Sequence, residues 1–142
     1  MNQAKGMDKR LLDRVAASRA QQIVDQAVTK AEPKEVDNLV TKALGVLQEN
    51  GVYACFLFLF SRSREKDDQI SEVVRGQLIR LAAEDLPFGW TLPAPMDAQT
   101  VLSSVSKTMC AELDPLLMTK ELFEQTLIYA RYGAKARKSK GG

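Results

Sequence analysis

Nine apolar residues in a row, Val52-Tyr-Ala-Cys-Phe-Leu-Phe-Leu-Phe60, are the strongest indication of the fold class. A buried strand and a buried helix both fit a run of this length. Only Val52 is β-branched, and no second segment of the chain has the pattern of a strand with which the run would pair. The run therefore predicts a central helix that is apolar all round and packs on several sides.

Upstream of this run, apolar residues recur every three or four positions, which is the spacing of one helix face. We predict a first helix over Leu12–Ala31, which ends before Pro33. Pro33 in turn is suited to the first turn of the next helix. The second helix, over Val36–Leu47, stops at Asn50-Gly51. Asn-Gly also fits a hairpin turn, but the helical spacing before it favours a left-handed helix cap.

Downstream of the run, a charged connection over Ser61–Asp68 leads to a fourth helix over Ile70–Ala82, with Asp67 or Asp68 predicted as its cap. The segment Leu86–Met96 holds three prolines and a glycine, which interrupt regular structure. Trp90 lies in this segment, and we expect it to plug the core rather than to recognise a ligand.

Two more helices complete the pattern. Asp97 is predicted to cap the fifth helix, which Asp114-Pro115 ends. Thr119 is predicted to cap the sixth, whose inner face would be formed by Phe123, Leu127, Ala130 and Ala134. The sequence therefore predicts an all-α protein, a compact bundle of about six helices. With 142 residues, of which 45% are hydrophobic, we expect a single domain over 1–142, with a basic flexible tail at about 137–142.

The same composition favours a cytoplasmic protein without membrane contact. The longest apolar run is far shorter than the ~20 residues of a membrane-spanning helix. The first residues are polar and lack the apolar block of a secretion signal. Cys55 and Cys110 lie far apart in apolar surroundings, as expected for reduced, buried thiols.

Charge is segregated along the chain. Residues 129–142 carry a net charge of +5 with no acid, residues 1–31 carry +3, and the stretch between them carries −6. Basic ends attract polyanions, and an acidic middle suits a basic protein partner. This distribution favours a binding protein over an enzyme.

The types of residue in this chain argue against catalysis. The chain has no histidine, which excludes the usual general base near neutral pH and the Ser-His-Asp and Cys-His nucleophile systems. Two distant cysteines build no zinc site, and no glycine-rich phosphate loop is present. The adjacent acids Asp67-Asp68 and Glu84-Asp85 could hold magnesium, but their places at helix boundaries favour capping. We expect no enzyme activity, no metal and no cofactor.

The basic residues near the C terminus are the best candidates for a binding site. On a helix, Arg131, Lys135 and Lys138 share one face, which lies away from the predicted inner stripe. Tyr129 and Tyr132 are suited to stacking on unpaired bases. The alternative is a solvated helix end, where cations are favourable at the negative pole of the helix dipole. Five cations without an acid exceed that need, so we favour polyanion binding.

Four further arginines are weaker candidates. Arg14 and Arg19 lie in the basic first helix, where surface solubility is an equally good explanation. Arg62 and Arg64 follow the apolar run on a polar connection, a common place for contact residues. The predicted RNA-contact set therefore comprises Arg14, Arg19, Arg62, Arg64, Arg131, Lys135 and Lys138.

Several segments together resemble the small subunit of type III-B (Cmr-type) CRISPR RNA-guided effector complexes. The resemblance covers most of the chain and rests on the order and spacing of its parts. These are Ser18-Arg19-Ala20, then Leu47-Gln-Glu-Asn-Gly51 leading into Ala54-Cys-Phe-Leu-Phe-Leu-Phe-Ser61, then Leu116-Leu-Met-Thr-Lys-Glu-Leu122 leading to Tyr129-Ala-Arg-Tyr-Gly-Ala-Lys-Ala136. Small subunits of type III-A complexes are also helical and basic, which leaves the subtype open.

The resemblance implies a non-catalytic, all-helical subunit present in several copies. Such subunits pack against neighbouring copies of themselves and against the backbone and large subunits, and they line the groove of the guide RNA–target RNA duplex. Arg19, Arg131 and Lys135 match positions within the resembling segments. Two other functions remain open on the residues alone: a helical protein-interaction adaptor without nucleic-acid binding, and an enzyme with a carboxylate-bound metal.

Overall fold

The computed structural model describes the backbone of residues 8–141 and the side-chain surroundings of residues 8–137. Within that part the chain forms six α-helices and no strand, which confirms the predicted all-α bundle. They are α1 (Lys9–Ala27), α2 (Pro33–Asn50), α3 (Val52–Phe60), α4 (Glu65–Arg80), α5 (Ala98–Lys107) and α6 (Leu113–Gly141). A π-helical turn, Leu81–Asp85, continues α4.

The longest helix, α6, packs along α1 and α2. It spans 29 residues, which corresponds to about 43 Å at the rise of an α-helix. Its most extensive contacts are with α2 and α1. The predicted inner stripe is confirmed, since Phe123, Leu127, Ala130 and Ala134 are fully buried. Pairing of Asp25 with Arg137 and of Asp37 with Arg131 shows that α1 runs parallel to α6 and α2 runs antiparallel to it.

Helix α3, which the sequence predicts as a central helix apolar and buried all round, is buried on one side only, so that prediction was wrong. Val52, Cys55, Phe56 and Leu59 face the core, whereas Tyr53 and Leu57 are 38% and 45% exposed. Because α3 contacts chiefly α2, α4 and α5, it lies at the side of the bundle and not at its centre. An edge-to-face contact of 5.9 Å between the ring centroids of Phe56 and Phe123 joins α3 to α6.

Both cysteines are free thiols, as expected. Cys55 is buried and its Sγ donates to the carbonyl of Ala43 at 3.8 Å. Burial raises the pKa of the Cys55 thiol to about 12. Cys110 is half-buried, and burial raises its pKa as well. Both thiols are therefore protonated and poorly nucleophilic at neutral pH.

A single residue, Gly51, joins α2 to α3. Its N–H donates to the carbonyl of Leu47 at 2.9 Å, which ends α2. The predicted helix cap is confirmed and the hairpin alternative is wrong, but the glycine is not in the left-handed helical conformation. Its φ of 97° is paired with an extended ψ of −175°, a region that glycine alone enters readily. Pro33 occupies the first position of α2, as predicted.

Four predicted helix boundaries are wrong. The fifth helix ends at Lys107, before Asp114-Pro115. The first helix ends at Ala27 and residues 28–30 form a turn. The fourth helix begins at Glu65, so Asp67 and Asp68 lie inside its first turn instead of capping it. The sixth begins at Leu113, where Pro115 fits because the N–H groups of a first turn need no partner within the helix. Thr119 is consequently buried within α6 and donates its hydroxyl to the Pro115 carbonyl at 2.7 Å.

The proline-rich segment after the π turn covers part of the core. Trp90 is partly buried against the core, and its ring centroid lies 5.0 Å from that of Phe88. This confirms Trp90 as a plug. Asp97 caps α5 as predicted, accepting the N–H of Thr100 at 2.8 Å. The described helices include none that is both long and apolar enough to span a membrane.

The predicted flexible tail, residues 137–142, coincides with the end of α6. Side chains from residue 138 onward lie outside the described residues, so the tail stays a prediction.

We predict that Phe56→Ala lowers the free energy of unfolding by about 3–5 kcal/mol, because it removes a fully buried ring that packs against Phe123. Leu57→Ala, next to it on the exposed side of α3, is the matched control and should cost less than about 1 kcal/mol. Urea unfolding followed by circular dichroism measures both. Equal losses would contradict the one-sided burial of α3.

We predict opposite effects for two glycine substitutions within helices. A Cβ at Gly76 meets no atom within 4 Å, so Gly76→Ala should stabilise the protein by about 0.5–1 kcal/mol. A Cβ at Gly133 would lie 3.1 Å from Cγ2 of Val24 on α1. Because Val24 is itself packed in the core at 4% exposure, it has little room to give way, and Gly133→Ala should destabilise the protein by about 1 kcal/mol. Thermal unfolding of both variants checks the difference, and a similar gain at both positions would refute it.

Candidate nucleic-acid interface

The C-terminal half of α6 brings an exposed aromatic ring and cations onto one helix. We call Arg131, Tyr132 and Lys135 the α6 face; Arg137 lies seven residues after Ala130 and three after Ala134, in line with the buried stripe. The buried positions Ala130 and Ala134 lie on the opposite side of the helix. Tyr132 is 62% exposed and lies near the middle of the solvent side. Arg131 and Lys135 lie on its α2 side, and Arg137, outside this face, pairs with Asp25 of α1.

The flank toward α2 contains a buried acid. The side chain of Asp37 is only 7% exposed, and its carboxylate lies 3.8 Å from Nε of Arg131 and 3.5 Å from Nζ of Lys135. Thr41, one turn further along α2, donates its hydroxyl to the same carboxylate at 3.2 Å. The two cations therefore do not point straight outward as predicted. They lean over α2 while their side chains remain 38% and 41% exposed.

The flank toward α1 contains two exposed acids. Arg137 donates to the carboxylate of Asp25, and the hydroxyl of Tyr129 donates to the carboxylate of Asp13. The hydrogen bond to Asp13 raises the pKa of the Tyr129 phenol. Tyr129 is therefore held against α1, and Tyr132 is the tyrosine available for stacking on a base.

Arg19 is a structural residue in the fold. Its side chain is 10% exposed, and it donates to Asp85 at 2.7 and 3.2 Å, to Glu84 at 3.0 Å and to the Gln77 side-chain carbonyl at 3.0 Å. The hydrogen bonds to Asp85, foremost, raise the pKa of the guanidinium. These contacts tie α1 to α4 and to the π turn. Because its donors are used inside the protein, we remove Arg19 from the RNA-contact set.

The arginines after α3 are paired within the fold. Nε of Arg62 donates to the carbonyl of Phe58 at 3.0 Å, and its guanidinium lies 3.9 Å from the centroid of the Phe58 ring. Arg62 thus closes the C-terminal end of α3. Arg64 is 61% exposed and pairs with Glu35 at 2.7 Å and with Asp67 at 3.3 Å.

The remaining predicted residues lie apart from these groups. Arg14 is exposed on the flank of α1 that borders Asp85, away from the side that meets α6. The side chain of Lys138 lies outside the described residues. The predicted set thus divides into three locations, and the structure brings Arg131 and Lys135 together at Asp37.

The residue that sequence reasoning missed is Asp37. The sequence did contain an indication of this role. Asp37 lies between Val36 and Leu39–Val40 of the predicted apolar face, and an acid beside such a face needs a cation as its partner. Which cation supplies that partner depends on the antiparallel packing of α2 on α6. No spacing within the sequence reveals that packing.

Adjacent carboxylates serve structural roles in the fold. Glu84 and Asp85 accept from Arg19 within the π turn, and Asp67 and Asp68 lie beside Arg64 and Arg75. Across the described part of the chain, acidic and cysteine side chains form no group of three or more that could hold a metal ion.

No protein-family model, curated protein or solved structure matches this chain.

We predict that Arg19→Lys lowers the free energy of unfolding by about 1–3 kcal/mol, because lysine cannot make the forked hydrogen bonds to Glu84, Asp85 and Gln77. Arg14→Lys, on the exposed side of the same helix, is the control and should change stability by less than about 0.5 kcal/mol. Chemical denaturation monitored by Trp90 fluorescence measures both. An Arg19→Lys variant as stable as its control would show that the buried network is dispensable.

Proposed function

We propose that this protein is a non-catalytic RNA-binding small subunit of a type III CRISPR ribonucleoprotein effector. In this role it lines the groove of the guide RNA–target RNA duplex and packs on the backbone subunits in antiviral defence. The observation that carries the proposal is the α6 face, where an exposed tyrosine lies beside Arg131 and Lys135 at the acid-free end of a long helix. The resemblance of the sequence segments supports the assignment to a CRISPR effector and, within it, to type III-B.

The mechanism of binding follows from the side chains of this face. Arginine and lysine neutralise phosphates without reading base sequence. Specificity is then left to base pairing between guide and target. Tyr132 offers a flat ring to which any unpaired base can stack. Such an interface binds RNA in a salt-sensitive and sequence-independent way.

The proposal includes partners and a compartment. Neighbouring copies, the backbone and large subunits, and the guide and target RNAs are the proposed partners, and the cytoplasm is the proposed location. We propose no enzymatic activity, metal or cofactor for this subunit. The reduced, poorly reactive state of Cys55 is consistent with a cytoplasmic environment.

The alternative is a protein-interaction adaptor that does not bind nucleic acid. One observation favours it. A surface groove of about 700 Å³ lies between the beginnings of α1 and α6, lined by Leu12, Leu117, Met118 and charged residues of both signs. Leu113 and Leu117 are 67% and 52% exposed at this end of α6. An adaptor of this kind predicts no salt-sensitive binding of RNA.

We predict that the double variant Arg131→Gln, Lys135→Gln binds mixed-sequence single-stranded RNA at least about tenfold more weakly than wild type at low salt. Neutral glutamine avoids placing new carboxylates beside the buried Asp37, but it removes two cations from that acid and should lower stability. Circular dichroism and thermal unfolding therefore have to show that the variant is folded at the assay temperature. Fluorescence anisotropy over a series of salt concentrations measures affinity. The slope of log K against log salt should become shallower by about 0.7 for each phosphate that the variant no longer neutralises.

The matched control is Lys9→Gln, Lys107→Gln, which removes the same charge from exposed positions at the start of α1 and the end of α5. Unaltered binding by the folded α6 double variant, or an equal loss in the control, would remove the α6 face as the contact site. Affinity purification from native cells then separates the two functions. CRISPR effector subunits with a guide RNA of uniform length support the first, and protein partners without RNA support the adaptor.

A further inference from the structure

The acid beside the α6 face is positioned as an internal substitute for an RNA phosphate. Asp37 is a buried carboxylate, and both cations of the α2 flank approach it. An incoming phosphate needs the same two cations. The carboxylate and the phosphate are therefore competitors for Arg131 and Lys135.

Arg131 and Lys135 lie farther from this carboxylate than hydrogen-bonded cations usually do. Charged N–H donors usually lie about 2.7–2.9 Å from a carboxylate oxygen. The separations of 3.8 Å at Arg131 and 3.5 Å at Lys135 are longer. Nε of Arg131 is buried and makes no hydrogen bond. The interaction is thus a charge attraction without a well-formed hydrogen bond from that nitrogen, and both cations keep part of their side chains exposed.

Burial strengthens the effect of this single acid. A carboxylate that is 7% exposed is poorly screened by water, so its field acts on nearby cations more strongly than that of a surface acid. Formally, Asp37 cancels one of the two positive charges on its flank. The C-terminal run of the sequence contains cations and no acid, which suggests a strong attraction for RNA phosphates. Because Asp37 lies beside these cations, the attraction is weaker than the run alone suggests.

Resting on the proposed function, we propose that Asp37 attenuates RNA binding by the α6 face. Each isolated copy then binds a polyanion weakly. Tight binding arises only where several faces bind one strand, since linked weak interactions multiply in effect. This arrangement would favour extended RNA held along an array of copies over short RNA or free nucleotides.

The test compares Asp37→Asn with wild type on the same mixed-sequence single-stranded RNA. Asparagine keeps the shape and an oxygen that can accept from Thr41, but it removes the charge. We expect about fivefold tighter binding at low salt, and a slope of log K against log salt that is steeper by about 0.7, the contribution of one neutralised phosphate. Asp37→Glu should restore wild-type binding.

Two controls separate charge at this site from other causes. Glu72→Gln makes the same change in net charge at an exposed position on α4 and should leave RNA affinity unchanged within about twofold. Circular dichroism and thermal unfolding verify that each variant folds. Asp37→Ala is a second charge-free variant if the asparagine variant is not stable.

The outcomes distinguish this inference from the proposed function. If wild type binds RNA, and the Arg131→Gln, Lys135→Gln variant weakens binding, but Asp37→Asn binds no more tightly, the attenuation is wrong and RNA binding stands. A gain at Glu72→Gln equal to that at Asp37→Asn also overturns the inference. If neither wild type nor Asp37→Asn binds RNA even at low salt, both the proposed function and the attenuation fail.

Discussion

Helix α6 must bury an apolar stripe and carry an acid-free run of cations on the same turns, and much of the structure follows from this requirement. Ala130 and Ala134 let the helix pack closely in the bundle, and Gly133 lets α1 approach it. The cations are then directed to the two flanks, where they meet acids of α2 and α1. The proposed RNA interface is therefore a consequence of how α6 is packed, and it is not an appendage to the fold.

Ionic groups in this protein are placed in two ways. Arg19 is surrounded by acceptors within hydrogen-bond distance, which makes it part of the framework. Asp37, although similarly buried, has its cations at longer distances and leaves them partly exposed. The first arrangement fixes the π turn against α1. In the proposed attenuation, the second lets Arg131 and Lys135 exchange the carboxylate for a phosphate.

The sequence predicted the class of the fold, because helical spacing of apolar residues depends only on local geometry. It also predicted the inner stripe of α6, the cap at Asp97, the role of Trp90 and the place of Pro33. Predictions failed where partners distant in the chain decide the outcome. The composition of α3 suggests burial all round, yet its place at the side of the bundle exposes Leu57. Arg19 resembles a surface cation in the sequence because its nearest acceptor along the chain, Gln77, is 58 residues away. Pro115 suggests a helix end, although a proline is equally compatible with a first turn.

The connection between α2 and α3 bears on how the length of this chain can change during evolution. Gly51 alone joins them, so one inserted residue within the first turn of α3 would rotate the rest of that helix by about 100°. Phe56 would then take the exposed place of Leu57, and the larger Phe58 would have to enter the buried place of Leu59. The segment between the π turn and α5 has no such register to keep. Insertions and deletions should therefore accumulate there, while the junction at Gly51 keeps a constant length.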